Sequence, residues 1–291
     1  MDPMLIKQLA LASIPPGVAG VATYLLVDRW TNRAALATVH ASGALALTYV
    51  LVHALIFGGL RLPPRGAAEW LPVLAVLGAV ATLFLRATLR PDARGIDWLV
   101  LLFFLLAGYL TARTFIRDSW TLIESGACLG VFTLAGWSSM FAVTRLSQRT
   151  PGPLVPGAIG VTAAGIANVL VLGFYSLKLA QAAGVVCAFL VGGLLVRLFR
   201  TGGAVRGGAS LVPLVLLHML LLLGLILGDA RHGVWMALLC AASLPLASLV
   251  CLRPLSRLGE RGKAIAGIVL AAMPLIAANV IALMLYEPPD Y

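Results

Sequence analysis

Residues 34–59 form a run of 26 amino acids without Asp, Glu, Lys or Arg, and this run limits the fold more than any other feature of the chain. At a rise of about 1.5 Å per residue, a helix of this length crosses a bilayer. Lipid offers no hydrogen bonds to the backbone, so a spanning segment must satisfy its own N–H and C=O groups in a helix or a closed barrel. The run lacks the alternation of apolar and polar residues that barrel strands show. It therefore predicts a transmembrane helix.

Similar runs fill the rest of the chain. Of its 291 residues, 61% are hydrophobic and only 11% are charged, with a mean hydropathy of +1.01, whereas a soluble domain carries roughly 25% charged residues. We predict an all-α, polytopic integral membrane protein with about ten transmembrane helices in one transmembrane domain, residues 1–291. The predicted spans are residues 5–27, 34–59, 70–88, 97–116, 121–146, 155–176, 179–200, 208–228, 232–252 and 263–286.

The number of spans depends on one short connection. Only Ser176, Leu177 and Lys178 separate the sixth run from the seventh. If these two runs were a single broken unit, the chain would have nine spans rather than ten. The alternation of charge between successive loops favours ten.

Positive charge is unevenly divided between the two sets of loops. Of the 21 Lys and Arg residues, 7 lie at the N-terminus or in the loops after even-numbered spans, which leaves 21 − 7 = 14 in the loops after odd-numbered spans. Because loops rich in Lys and Arg stay in the cytoplasm, we expect the odd loops to be cytoplasmic and both termini to be extracytoplasmic. The seven even-side residues are Lys7, Arg61, Arg65, Arg113, Arg117, Lys178 and Arg231.

Ten spans can be divided into halves of five, residues 4–146 and 154–287. An odd number of spans per half inverts the second half relative to the first, as in many transporters. The count is therefore compatible with a 5+5 inverted repeat, and equally with two unrelated halves.

Three histidines lie inside predicted spans, and an ionisable group in a membrane segment is a functional candidate. His40 and His53 share the second span but point about 140° apart on a helix, so they cannot bind one metal together. His218 lies among leucines in the eighth span. Each of these histidines either packs through a hydrogen bond to a neighbouring helix or belongs to a polar pathway. The predicted topology permits one haem bound between His40 and His218, because spans 2 and 8 run in the same direction.

Uncharged polar residues mark a second set of candidates. Asn168 lies in span 6, Asn279 in span 10 and Tyr49 in span 2. Such residues form hydrogen bonds between helices or line a pathway. No Asp or Glu is central in any span, which disfavours cation-driven antiporters and enzymes that hold Mg²⁺ through paired carboxylates. We predict no catalytic residue and no metal site.

Two functions fit these observations. The first is an inner-membrane transporter or permease for a small neutral, anionic or lipid-like solute. The alternative is an integral membrane subunit of a larger complex, and a redox complex that binds haem b or a quinone is one form of this alternative. The chain is expected to contact lipid and, in the second case, partner proteins, but no nucleic acid, because its net charge of +10 arises from loops between spans. We expect a bacterial-type inner membrane location and, in the first reading, no cofactor.

Overall fold

The computed structural model describes residues 3–30, 34–88, 95–149, 154–199, 211–228, 233–252, 255 and 257–286. Within these ranges the chain forms ten α-helices, two short 3-10 turns at Ala67–Glu69 and Ser248–Cys251, and no strand. The predicted all-α fold is confirmed. The helices are α1 (Pro3–Trp30), α2 (Ala34–Phe57), α3 (Trp70–Thr88), α4 (Gly95–Asp118), α5 (Leu122–Arg149), α6 (Leu154–Leu172), α7 (Leu177–Phe199), α8 (Leu211–Leu227), α9 (Gly233–Ala247) and α10 (Glu260–Met284).

Nine helices in the described ranges are long and apolar enough to cross a membrane, which confirms the prediction of a multi-pass membrane protein. The remaining helix, α8, is described over 17 residues. At 1.5 Å per residue it is about 25 Å long, near the lower limit for a spanning helix. Residues 208–210, which the sequence assigns to the same span, lie outside the described ranges.

The connection between α6 and α7 is a tight turn at residues 173–176. The N–H groups of Gly173 and Phe174 both donate to the carbonyl of Val169, and Ser176 N–H donates to Leu170 O at 2.8 Å. Tyr175 takes the left-handed backbone conformation, with φ of 53°. The helices on either side pack against each other. They are therefore two helices rather than one broken unit, and the described part of the chain contains ten helices.

Helix α8 lies at the centre of the bundle. It contacts α2, α3, α4, α5, α6, α7 and α9, which surround it as a ring. Residues 211–224 are all buried. Two helices lie outside this ring: α1 packs against α2 and α7, and α10 packs against α6 and α9. The most apolar helix of the chain thus faces protein on every side.

Side-chain contacts distinguish the two ends of the bundle. Arg149 at the end of α5 donates from Nη1 to Cys251 O, 3.0 Å away, in the 3-10 turn that follows α9. At the opposite end, Tyr175 donates from its hydroxyl to Leu285 O beyond α10. The segments that follow α5 and α9 thus lie at one end of the bundle, and those that follow α6 and α10 lie at the other. Helices that cross the membrane in alternating directions require this arrangement. Several loop cations that carry the charge argument lie outside the described residues: Arg33, Arg90, Arg94, Arg200, Arg206, Arg231 and Arg253.

The two halves of the chain pack differently. In the second half α6 lies against α10, whereas the corresponding helices α1 and α5 make no comparable contact in the described residues. The first and last helices of the bundle are both peripheral, but they are not equivalent under an inverted repeat. The 5+5 repeat stays a prediction from the span count.

Candidate functional site

A cavity of about 500 Å³ opens at the end of the bundle where α2 ends, and we call it the α2–α3 cavity. Its volume lies in the range of about 300–1,000 Å³ that small-molecule sites occupy. The wall is built by the end of α2, the loop to α3, the end of α4 and Leu227 of α8. Five of its residues carry polar side chains: His53, Arg61, Arg65, Glu69 and Thr114.

Two glycines end α2 and reverse the direction of the backbone, so that the following loop forms part of the cavity wall. Gly58 and Gly59 have φ of 80° and 129°, a region that a side chain would strain. Gly59 N–H donates to Ala54 O at 2.7 Å. This bond from the second residue past the helix to its last turn is the Schellman arrangement, which satisfies a terminal carbonyl. The loop therefore leaves α2 in a defined direction.

Glu69 holds the far side of that loop. Its Oε2 accepts hydrogen bonds from the backbone N–H groups of Arg65 at 2.7 Å and Gly66 at 3.0 Å. Its Oε1 lies 3.8 Å from Nη1 of Arg61. Both arginine side chains are exposed. The carboxylate thus fixes the backbone while the two guanidinium groups stay at the rim.

The imidazole of His53 lies deeper, at the boundary between the cavity and the bundle interior. His53 is only 2% exposed. Its ring stacks on Phe57 with centroids 4.2 Å apart and lies 5.7 Å from the ring of Tyr49. Both neighbours are four residues away on α2, the spacing that places side chains on one helix face. Its Nδ1 is buried and has no hydrogen-bond partner among the described residues.

The same helix face carries two more unpaired polar groups. Ser42 and Tyr49 are both 0% exposed. Neither Ser42 Oγ nor the Tyr49 hydroxyl has a hydrogen-bond partner in the described part of the chain. An unpaired buried polar group costs about 1–3 kcal/mol. Three such groups on a single helix face are therefore a costly feature of this fold.

The other two histidines lie in different environments. His40 is exposed on the opposite side of α2 from His53. His218 is buried on α8, where Nδ1 lies 2.8 Å from Leu214 O and Nε2 lies 3.3 Å from Ser139 Oγ. Because a carbonyl only accepts, Nδ1 carries the proton, and neutral Nε2 accepts from the serine hydroxyl. Both ring nitrogens of His218 are thus in use, as the packing interpretation predicts.

Both asparagine candidates line a single groove. A cavity of about 430 Å³ between α6 and α10 includes Asn168 and Asn279. Asn279 Nδ2 donates to Leu275 O at 2.8 Å and to Gly165 O at 3.3 Å, while its Oδ1 is buried and unpaired in the described structure. Asn168 is exposed. The groove holds no charged residue, so it resembles a helix-packing site more than a site for a charged solute.

Comparison with known proteins adds no identification. The chain matches no protein-family model, no curated protein and no solved structure. Among the residues described, no three His, Cys, Asp or Glu side chains lie close enough together to hold a metal ion.

Sequence reasoning found His53 and Tyr49 but missed Arg61, Arg65 and Glu69. These three residues lie in the connection between α2 and α3, and Arg61 and Arg65 entered the sequence analysis only as charges that assign the sides of the membrane. One signal was available: two arginines occur in one short loop on the side where the charge rule expects few. Thr114 has no such signal, because only the fold brings the end of α4 to this loop.

The hydrogen bond between Ser139 and His218 gives a direct test of the interior packing. In Ser139→Ala, Nε2 of His218 loses its donor inside the bundle, and we expect unfolding in detergent to require about 1 kcal/mol less free energy. The adjacent Ser138 bonds only to Ala135 O in its own helix. Ser138→Ala should change the unfolding free energy by less than about 0.5 kcal/mol. Equal losses in the two variants would contradict the assigned bond.

Proposed function

We propose that this protein is a membrane permease for a small anionic solute and that the α2–α3 cavity is its binding site. The observation that carries the proposal is a buried imidazole with an unpaired nitrogen at the base of a cavity whose rim holds two exposed arginines. The arginines at the rim attract an anion, and the deeper imidazole can then form a hydrogen bond with it inside the bundle.

The charges of the cavity favour an anion over a neutral solute. Arg61 and Arg65 contribute two positive charges and Glu69 contributes one negative charge, which leaves +2 − 1 = +1 with a neutral His53. Guanidinium groups bind carboxylates and oxyanions through paired N–H donors. Glu69 is already committed to two backbone N–H groups. Arg61 also lies 3.8 Å from Glu69 Oε1, so a small carboxylate or oxyanion must compete with this exposed pair at Arg61, whereas Arg65 has no ion pair within the described residues.

Exposure of the arginines suits transport better than tight binding. The Arg61 side chain is 78% exposed, and ion pairs between exposed groups contribute only about 0–1 kcal/mol. A solute held this weakly is released readily, which a permease requires. The conclusion is a low-affinity entry site rather than a receptor for a scarce ligand.

The redox alternative receives less support from the geometry. A haem iron bound at His218 would have to displace either the bond to Ser139 or the bond to Leu214. His40, the other proposed ligand, is on the exposed side of α2. His218 has no free ring nitrogen, and His40 does not point into the bundle. His53, in contrast, has an unpaired Nδ1 in the bundle interior.

Uptake by the purified protein in liposomes tests the proposal. The probes are radiolabelled formate, acetate and inorganic phosphate, each used separately. We expect uptake of at least one anion above that of empty liposomes. Loss of both rim charges in Arg61→Ala/Arg65→Ala should reduce its initial rate at least fivefold, and His53→Gln should do the same by removing the imidazole.

Two matched variants control for general damage. Arg117→Ala removes an exposed arginine next to Asp118, outside the cavity wall, and His40→Ala removes the exposed histidine of the same helix. Both should transport at the unmodified rate. If no anion enters the liposomes, or if the control variants lose as much rate as the cavity variants, the proposed site is wrong.

We also propose that the cavity faces away from the cytoplasm of a bacterial-type cell, because the loop after α2 belongs to the set poorer in Lys and Arg. Leu62→Cys lies in this loop and Leu258→Cys lies in the loop after α9; both positions are exposed. In intact spheroplasts, a membrane-impermeant maleimide should label only Leu62→Cys. Labelling of Leu258→Cys alone would reverse the orientation.

A further inference from the structure

We infer that the solute crosses the bundle along the buried face of α2, where Ser42, Tyr49 and His53 supply successive hydrogen-bonding groups. We call these three residues the α2 polar stripe. The inference rests on the proposed permease function and extends it, because it assigns the route beyond the entry cavity. The route passes between α2 and the helices that pack against it: α1, α3, α7 and α8.

The spacing of the three residues places their side chains on one face of α2. They are separated by seven and four positions, so at 100° per residue their side chains lie within about 40° of one another. At 1.5 Å per residue, His53 lies about 6 Å inside the Phe57 end of α2, Tyr49 about 12 Å and Ser42 about 22 Å. The stripe therefore extends from the cavity past the middle of a helix of 24 residues.

Most other buried hydroxyls in the described residues have a hydrogen-bond partner; Thr133 on α5 is an exception, because its hydroxyl is also unpaired. Thr82, Thr111 and Thr162 each donate to the carbonyl four residues earlier in their own helix, at 2.8 Å. This is the usual solution for a hydroxyl in a membrane helix. Ser42 does not adopt it, although its helix offers the same carbonyl position. Its hydroxyl is free to bond a group that is not part of the helix.

Packing alone does not require the hydroxyls of Ser42 and Tyr49. Phe in place of Tyr49, or Ala in place of Ser42, would keep most of the packing and remove an unpaired polar atom. Replacement of an unpaired buried polar group by an apolar one is neutral or stabilising for the fold. The polar groups therefore cost stability in this arrangement. They become favourable if they bond a hydrated anion as it passes, because each then replaces part of the hydration shell.

Charged groups that could compete for the solute lie at the entry. Arg61, Arg65 and Glu69 in the loop leading to α3 are the charged residues that line the α2–α3 cavity together with His53. Farther along α2, the side chains of the stripe are uncharged. An anion that leaves the arginines thus meets neutral hydrogen-bonding groups on α2, which hold it weakly.

Two substitutions separate transport from folding. Tyr49→Phe should reduce the initial rate of anion uptake at least fivefold while the midpoint of thermal unfolding in detergent stays equal or rises. Tyr109→Phe is the matched control, because Tyr109 is 45% exposed on α4. It should leave both quantities unchanged. A Tyr49→Phe variant that transports normally would overturn the route.

Thiol accessibility provides the second measurement. In a transport-competent variant whose four cysteines are replaced, Ser42→Cys should react with a negatively charged, water-soluble methanethiosulfonate, and the anion that is transported should slow the reaction. Leu47→Cys, at a position 62% exposed on the outside of α2, faces lipid in our account. It should react at least tenfold more slowly, because a thiolate forms poorly in hydrocarbon.

The outcomes distinguish this inference from the function on which it rests. Uptake that depends on Arg61 and Arg65, with an unreactive Ser42→Cys and a normal Tyr49→Phe, leaves the permease in place and overturns the route. Absence of uptake by the unmodified protein overturns both. Loss of uptake in Tyr49→Phe together with solute-sensitive labelling of Ser42→Cys supports both.

Discussion

The enclosure of α8 by seven other helices is the constraint on which the rest of the structure depends. In lipid, helices gain little from hiding apolar surface, so association relies on close packing and on hydrogen bonds between helices. Helix α8 is apolar on all sides and buried over residues 211–224, and a helix of that kind must lie in a core or in lipid. Its one ionisable side chain, His218, is buried with both ring nitrogens hydrogen-bonded. The centre of the bundle is therefore apolar and internally satisfied.

Helix α2 has the opposite character. It contacts the same central helix, but three of its buried polar groups lack partners among the described residues. The contrast between a satisfied α8 and an unsatisfied α2 assigns different roles to two apolar helices that contact each other. Three of the five buried side-chain polar atoms that lack a partner in the described residues lie on this face of α2. The face begins at a cavity with two arginines. The functional proposal follows from this asymmetry rather than from any single residue.

The sequence predicted the helices well because run length and charge decide them locally. It could not predict which helix is central: α8 and the lipid-facing helices are all apolar, and hydropathy does not separate a leucine that faces lipid from one that faces protein. His53 and Tyr49 were candidates because they are polar groups inside a span. Their lack of partners, and the proximity of Arg61 and Thr114, depend on contacts between distant segments. The spacing of His40 and His53 correctly predicted that their side chains point to different sides of α2, since His40 is exposed and His53 is buried.

The central claim is that His53 is open to a solute while His218 is closed. The most direct measurement is the ¹⁵N chemical shift of each imidazole, in selectively labelled protein in lipid nanodiscs at constant pH, during titration with the anion that is transported. The account predicts a saturable change in the His53 signals and constant His218 signals, with the His53 change lost in Arg61→Ala/Arg65→Ala. A saturable change at His218 with none at His53 would contradict it.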